Sequence, residues 1–262
     1  VAHPSSRTRT GTVGDVLIEE LAAAGLAGLE VGHRDHEEAD VRHLTDLALR
    51  LGLFVTGSSD YHGTGKRNRL GENTTDPEVL ARIDLSATKS KLLVIVANER
   101  GAEAAVAQES VHYLGYPFSI SETFQQRNTN TSIEGSWART AHIAELARKA
   151  GKELVVYISM AFGNPYGDPW DADIALQWTD RLVKELGVRI IPLSDTVGVA
   201  RPADVAAMFG ALIPALPQVE FGAHLHARPD NWQAKTDAAW NAGCRRFDGA
   251  LKGYGGCPMA ED

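Results

Sequence analysis

Residues 154–195 read LVVYISMAFGNPYGDPWDADIALQWTDRLVKELGVRIIPLSD. Two short runs rich in Val, Ile and Leu, at 154–158 and 189–193, flank a segment, 171–187, that opens on Asp and closes on Gly. Runs of that length and near-continuous apolar character suit parallel strands buried on both faces. Asp at the start and Gly at the end are helix-capping signals. Strand, helix, strand is the repeating unit of a parallel sheet with helices outside. The same alternation extends in both directions. Further strands are predicted near 28–31, 53–57, 92–97, 117–121, 219–224 and 246–250. Helices are predicted within 14–26, 131–151, 202–213 and 229–243. Another runs from about His36–Glu37 to Gly52, with Asp35 as its cap. Eight such strands predict a (β/α) barrel. The eighth has no helix after it, while helix 14–26 precedes the first, an order that a circular permutation would produce. Residues 1–3 read as a candidate ninth strand stub. The polar stretch 64–90 places a boundary near residue 80, giving segments 1–80 and 81–262. The expected class is therefore α/β, a TIM-like barrel, incomplete or hybrid, with parallel strands and outer helices.

At 262 residues the chain suffices for one large α/β barrel or two small domains. An apolar fraction of 44 % permits a substantial core. The formal net charge is −8, and no basic block or Lys/Arg-rich helix appears. Extended nucleic-acid binding is therefore not expected. Arg245, Arg246 and Lys252 remain as local spots for a phosphate. Neither a signal peptide nor a long apolar run is recognisable, which predicts a soluble cytoplasmic protein with no membrane partner. Two cysteines, Cys244 and Cys257, suit a reducing compartment better than a disulfide framework. The chain opens on Val1, and both of its ends read as cut.

Three motifs carry chemistry. In EFGAHLHARPDNW (220–232), His224 and His226 lie two apart at a strand end, so period-2 geometry puts them on one face. At the C-terminal mouth of a barrel, two imidazoles form half of a divalent-metal site. The alternative is two polar residues bonded to backbone or water. In IIPLSDTVGVARP (190–202), Asp195 stands beside Thr196. There it binds metal, orients a ligand, moves a proton, or simply caps the loop. In GYGGCPMAED (253–262), the glycines allow movement, and Cys257 offers a proton donor or nucleophile. Cys244, at a predicted helix end, reads as structural.

Six stretches strengthen these readings: LLVIVANERGAE, SISETFQQRNTNTSIEGS, SMAFGNPYGDPWDAD, PLSDTVGVARP, FGAHLHARPDN and RRFDGALKGYGGCPMAED. In this order, across about residues 84–262, they resemble the hydroxymethylglutaryl-CoA lyase branch of the DRE-TIM metallolyases. The resemblance implies a TIM barrel that cleaves a 3-hydroxyacyl-CoA to acetyl-CoA and a keto acid by a retro-Claisen step, using Mg²⁺ or Mn²⁺. It implies that His224 and His226 bind the metal and that Cys257 is the mobile-loop acid that protonates the enolate. It places Asp195 beside the reacting hydroxyl. The small-molecule partner would be an acyl-CoA, and a homo-oligomer fits as well. The family's Asn ligand falls beyond Asp262, and its first two strands are not recognisable. Poor cleavage of hydroxymethylglutaryl-CoA, or none, is the expectation that follows.

Residues 1–72 resemble something else. VAHP (1–4) and GLAGLEVGHRDHEEADVRHLTDLALRLGLFVTGSSDYHG (25–63) are similar to the C-terminal half of PHP-domain phosphoesterases. This implies His3, Asp60 and His62 as an alternative metal set for Zn, Mn or Fe. It also implies an alternative function, metal-dependent phosphoester hydrolysis, or a non-catalytic chimeric fusion. Arg34 and Asp35 follow the first predicted strand, where the lyase family carries its own Arg-Asp pair. On that basis Arg34 is expected near the substrate carbonyl and Asp35 as a third metal ligand.

Overall fold

Capping residues set the helix boundaries. The side chains of Asp171, Ser132 and Ser121 accept from the amides of Ile174, Gly135 and Phe124. Each bond satisfies a first-turn donor that the helix itself leaves unpaired. Gly52 and Gly187 end their helices at φ 67° and 70°, a conformation that a side chain strains.

The computed structural model describes residues 1, 2, 4, 5, 12–59, 69, 71–76, 78, 79, 82–84, 86 and 88–249. These fall into two units, one within 1–87 and one within 88–249. The smaller contains α1 (Asp15–Ala23), β1 (Gly28–Gly32), α2 (Glu38–Leu51) and β2 (Phe54–Gly57). β1 and β2 pair in parallel, with Gly28 opposite Phe54. Ile18, Leu29, Val31, Leu44, Leu47 and Ala48 form its core. Val1 pairs with β1 through two backbone bonds: its amino group donates to the Gly28 carbonyl at 3.0 Å, and the Glu30 N–H donates to the Val1 carbonyl at 2.9 Å.

The expected cap of α2 is corrected. The helix begins at Glu38, and Glu37 and Asp40 form a capping box. Two histidines shape the turn before it. Asp35 N–H donates to His33 Nδ1 at 3.1 Å. The buried His36 ring donates from Nδ1 to the Val31 carbonyl at 2.8 Å and accepts from Ser5 N–H at 3.3 Å. The turn therefore ends two residues later than Asp35.

The larger unit runs β3 (Leu92–Ile95), α3 (Glu99–Val106), β4 (Val111–Ser119), α4 (Glu122–Thr129), α5 (Ile133–Lys149), β5 (Glu153–Ser159), α6 (Ala172–Leu186), β6 (Ile190–Asp195), α7 (Pro202–Ala215), β7 (Glu220–Leu225), α8 (Trp232–Asn241) and β8 (Arg246–Asp248). Its six strands are all parallel, in the order β3-β4-β5-β6-β7-β8. The result is a curled, TIM-barrel-like half-barrel. Among the described residues the eight strands thus lie in two sheets, not in the single ring that their number predicted. β4 also corrects the strand expected at 117–121. A proline tends to interrupt a ladder, so the sequence reading started the strand there. In fact the ladder carries Pro117 opposite Tyr157 and begins at Val111. Gly115 lies on the same face as Tyr157. A Cβ there would meet Ile95 at 2.5 Å and Tyr157 at 3.1 Å, so glycine permits the close approach.

Alternation along the strands separates two faces. Leu114, Tyr116 and Phe118 of β4, Leu154, Val156 and Ile158 of β5, Ile191 and Leu193 of β6, and Phe221 and Ala223 of β7 pack into the core with helix residues such as Ile143, Leu182, Phe209 and Leu212. The intervening residues face the other side of the sheet.

Candidate active site

On that other side, β7 and the residue after it carry the histidine pair, beside β8. His224 stands opposite Asp248 in the β7–β8 register, and the β7 ladder ends at Leu225, so His226 follows directly. The rings of His224 and His226 lie 5.5 Å apart, centre to centre, tilted by 54°. With a metal–nitrogen bond of about 2.1 Å, two imidazoles on one ion span up to roughly 6 Å between ring centres. The separation of the two rings is within that reach. Among the described residues, no group of three His, Cys, Asp or Glu gathers around such a point.

The same register brings Asp248 to His224. Its Oδ2 lies 3.4 Å from His224 Nδ1, which leaves Nε2 for a ligand. The Tyr157 ring meets His224 edge-on at 5.5 Å. Burial alone would raise the Asp248 carboxyl. The His224 bond and charge, the Tyr157 hydroxyl and Arg246 outweigh it and hold the group below the usual carboxylate range. Tyr157 is pushed well above the usual phenol range, first by burial and then by Asp248. Sequence reading did not single out Asp248, which lies 24 residues from His224 and meets it only through the β7–β8 register.

Asp195 sits on the opposite side from the histidines. It continues the Ile191–Leu193 row toward the helix layer and is 1 % exposed. Lys235 of α8, 2 % exposed, donates to its Oδ2 at 2.7 Å. Oδ1 accepts from Ala200 N–H at 3.1 Å. The carboxylate thus closes the loop after β6 and is occupied on both oxygens. Lys235 was not anticipated. A lysine at a buried helix position, in register with Ala239 four residues on, was its one local signal.

With this geometry in view, relatives are informative. The sequence pattern described as HMGL-like matches residues 15–258. The chain belongs to the HMGL-like family. It is 30 % identical over 244 residues to hydroxymethylglutaryl-CoA lyase of Pseudomonas mevalonii, covering 88 % of this chain and 77 % of that one. It is 31 % identical to (R)-citramalyl-CoA lyase of Chloroflexus aurantiacus, covering 93 % and 70 %. The crystal structure of hydroxymethylglutaryl-CoA lyase from Pseudomonas aeruginosa is 25 % identical with a TM-score of 0.65, covering 98 % of this chain and 76 % of that one. The HMGL-like match begins at residue 15 and so runs through most of the PHP-like stretch. A phosphoesterase structure from Bifidobacterium adolescentis covers 30 % of the chain at 40 % identity, and its TM-score of 0.29 carries no structural argument.

In this HMGL-like chain, a second network orders the strand ends. Met160, directly after β5, is buried with φ 61°, a strained value for a side-chain-bearing residue. Its N–H donates to Thr196 Oγ1 at 2.8 Å, which ties β5 to β6. Asp168 accepts from Ser121 Oγ at 2.5 Å, Thr123 N–H at 2.9 Å and Thr123 Oγ1 at 3.0 Å. These bonds, Ser121 foremost, hold its carboxyl below the usual range. A group so shifted stabilises the fold above its unfolded value of about 3.9 and loses that contribution as pH falls through the lower folded value. Asp168→Asn is therefore expected to lower stability at pH 7 by about 1–2 kcal/mol. The deficit should shrink below about pH 4. Urea unfolding at both pH values measures it, and an equal deficit at pH 7 and pH 3 would exclude this origin.

Arg34 and Asp35 belong to the smaller unit, and both are exposed. Arg34 Nη1 pairs with Glu72 Oε1 at 3.2 Å. His3, Asp60, His62 and Cys257 lie outside the described residues. Cys244 is buried, its thiol lies 3.1 Å from the Arg246 carbonyl, and burial pushes its pKa up. Among the described residues no helix is long and apolar enough to cross a membrane.

Proposed function

We propose that this chain is a cytoplasmic, metal-dependent carbon–carbon lyase that cleaves a 3-hydroxyacyl-CoA to acetyl-CoA and a keto acid. The observation that carries the reading is the facing pair His224 and His226 at the end of β7, with Asp248 at His224 Nδ1. Relatives named for two different 3-hydroxyacyl-CoA substrates support the substrate class without choosing a member.

In this reading His224 and His226 would hold Mg²⁺ or Mn²⁺. When bound, such an ion polarises substrate oxygens as a Lewis acid. Asp248 orients the His224 ring and fixes its tautomer, with Nδ1–H toward the carboxylate. The substrate hydroxyl loses its proton to a base, the C2–C3 bond breaks, and C3 becomes a ketone. Cys257 gives its proton to the resulting acetyl-CoA enolate. Asp195, gripped by Lys235 and Ala200 N–H, acts by holding the β6 loop.

The experiment is acetyl-CoA release from hydroxymethylglutaryl-CoA, citramalyl-CoA and related 3-hydroxyacyl-CoA esters, with and without Mn²⁺. Mn²⁺-dependent release that is lost in Cys257→Ala is expected. Absence of release across the series would sink the proposal. For the orienting role, Asp248→Asn should weaken Mn²⁺ binding about 10–100-fold. Calorimetry reads this, and an unchanged affinity would remove Asp248 from the site.

A further inference from the structure

Lys235 is a lysine where α8 meets the core, and its surroundings do not explain it as packing. Placing an ammonium in the interior is costly unless every donor is satisfied. An aliphatic residue would fill the same space without that cost. Each of the three N–H donors of this ammonium nevertheless has an acceptor. Asp195 Oδ2 lies at 2.7 Å, the His226 carbonyl at 2.9 Å and the Gly198 carbonyl at 3.0 Å.

These three acceptors lie on the end of β6, the loop after it and the end of β7. The ladder between β6 and β7 stops at Asp195 opposite Leu225. His226 is thus one residue beyond the last paired position, where the strand no longer dictates its backbone. Lys235 bonds its carbonyl directly. The same ammonium grips Asp195, whose own carbonyl accepts from Gly198 N–H at 3.2 Å and whose Oδ1 accepts from Ala200 N–H. One side chain therefore ties the His226 backbone to a loop already closed upon itself.

We infer that Lys235 is a positioning residue, which holds the His226 imidazole beside that of His224 by fixing the His226 carbonyl against the β6 loop. The inference rests on the metal-binding reading of the two histidines. Its structural consequence concerns the metal-free chain and is tested there.

The test uses protein labelled with ¹³C at histidine Cε1, without metal, with His224→Ala and His226→Ala identifying the two ring signals. Asp195→Asn with Lys235→Met removes the ammonium and the carboxylate together, so no unpaired charge is left buried. The His226 signal is expected to shift and broaden in this variant, while that of His112, on β4, stays in place. Asp195→Asn with Lys235→Gln, which keeps a donor, should restore part of the parent signal. A His226 signal identical to the parent's in the methionine variant would overturn the inference. So would equal loss in the glutamine variant, or global unfolding of the methionine variant, which would make Lys235 a determinant of overall stability instead. Calorimetry with Mn²⁺ then separates the two readings. A drop in affinity of 10-fold or more is expected for the methionine variant, and an affinity equal to the parent's also counts against the inference. A parent that binds no Mn²⁺ through His224 and His226 would sink the lyase reading, with the ring signals still deciding the role of Lys235.

Discussion

Replacing His224 and His226 together by alanine is expected to eliminate Mn²⁺ binding at this site and to lower acyl-CoA cleavage by about 1000-fold. The size follows from the chemistry asked of the site. Lewis-acid polarisation contributes several kcal/mol of charge stabilisation, and each ~1.4 kcal/mol is a factor of ten in rate. Both imidazoles are needed, since a divalent ion held by one nitrogen and water is bound weakly. The fold should tolerate the change. His224 is 39 % exposed at its side chain, and the helix-facing core does not include either residue. Unchanged metal stoichiometry, or unchanged turnover in a folded variant, would remove the pair from the mechanism.

Lys235→Met alone should be the most damaging single substitution to stability, at about 3–5 kcal/mol. The cause is what it leaves behind. Asp195 is 1 % exposed, and without Lys235 its carboxylate has one remaining partner, Ala200 N–H. Breaking a buried pair costs far more than replacing both members, because an uncompensated charge stays in the interior. For a unit of this size the melting temperature should fall by roughly 10 °C. Adding Asp195→Asn should recover most of the loss. Thermal unfolding of the two variants checks this, and equal destabilisation in both would show that packing, not charge, is the origin.

Much of this protein is legible in local order. Seven of the eight strands fall within a few residues of their predicted bounds, and in β5 and β6 burial on both faces demands apolar residues in series. Helix ends at Asp171 and Gly187 follow from orphan backbone groups that particular residues satisfy. His224 and His226 share a face because two residues is the period of a strand. Parity also bore on Asp195, one step out of phase with Ser194 and so in the row of Ile191 and Leu193.

Partners are another matter. Lys235 and Asp195 are 40 residues apart, and Asp248 and His224 are 24 apart. The first pair depends on how α8 crosses the strand tips, and the second on the register of β7 against β8. The nine-residue ladder through Pro117 is likewise a product of its neighbours β3 and β5, which pair with it on both sides. Residue chemistry and short-range period were therefore determined by the sequence by itself: the parallel α/β class, the helix caps and the histidine pair. Tertiary structure decided which groups satisfy one another across the strand ends, since a buried charge or a ring nitrogen is matched in space and not by distance along the chain.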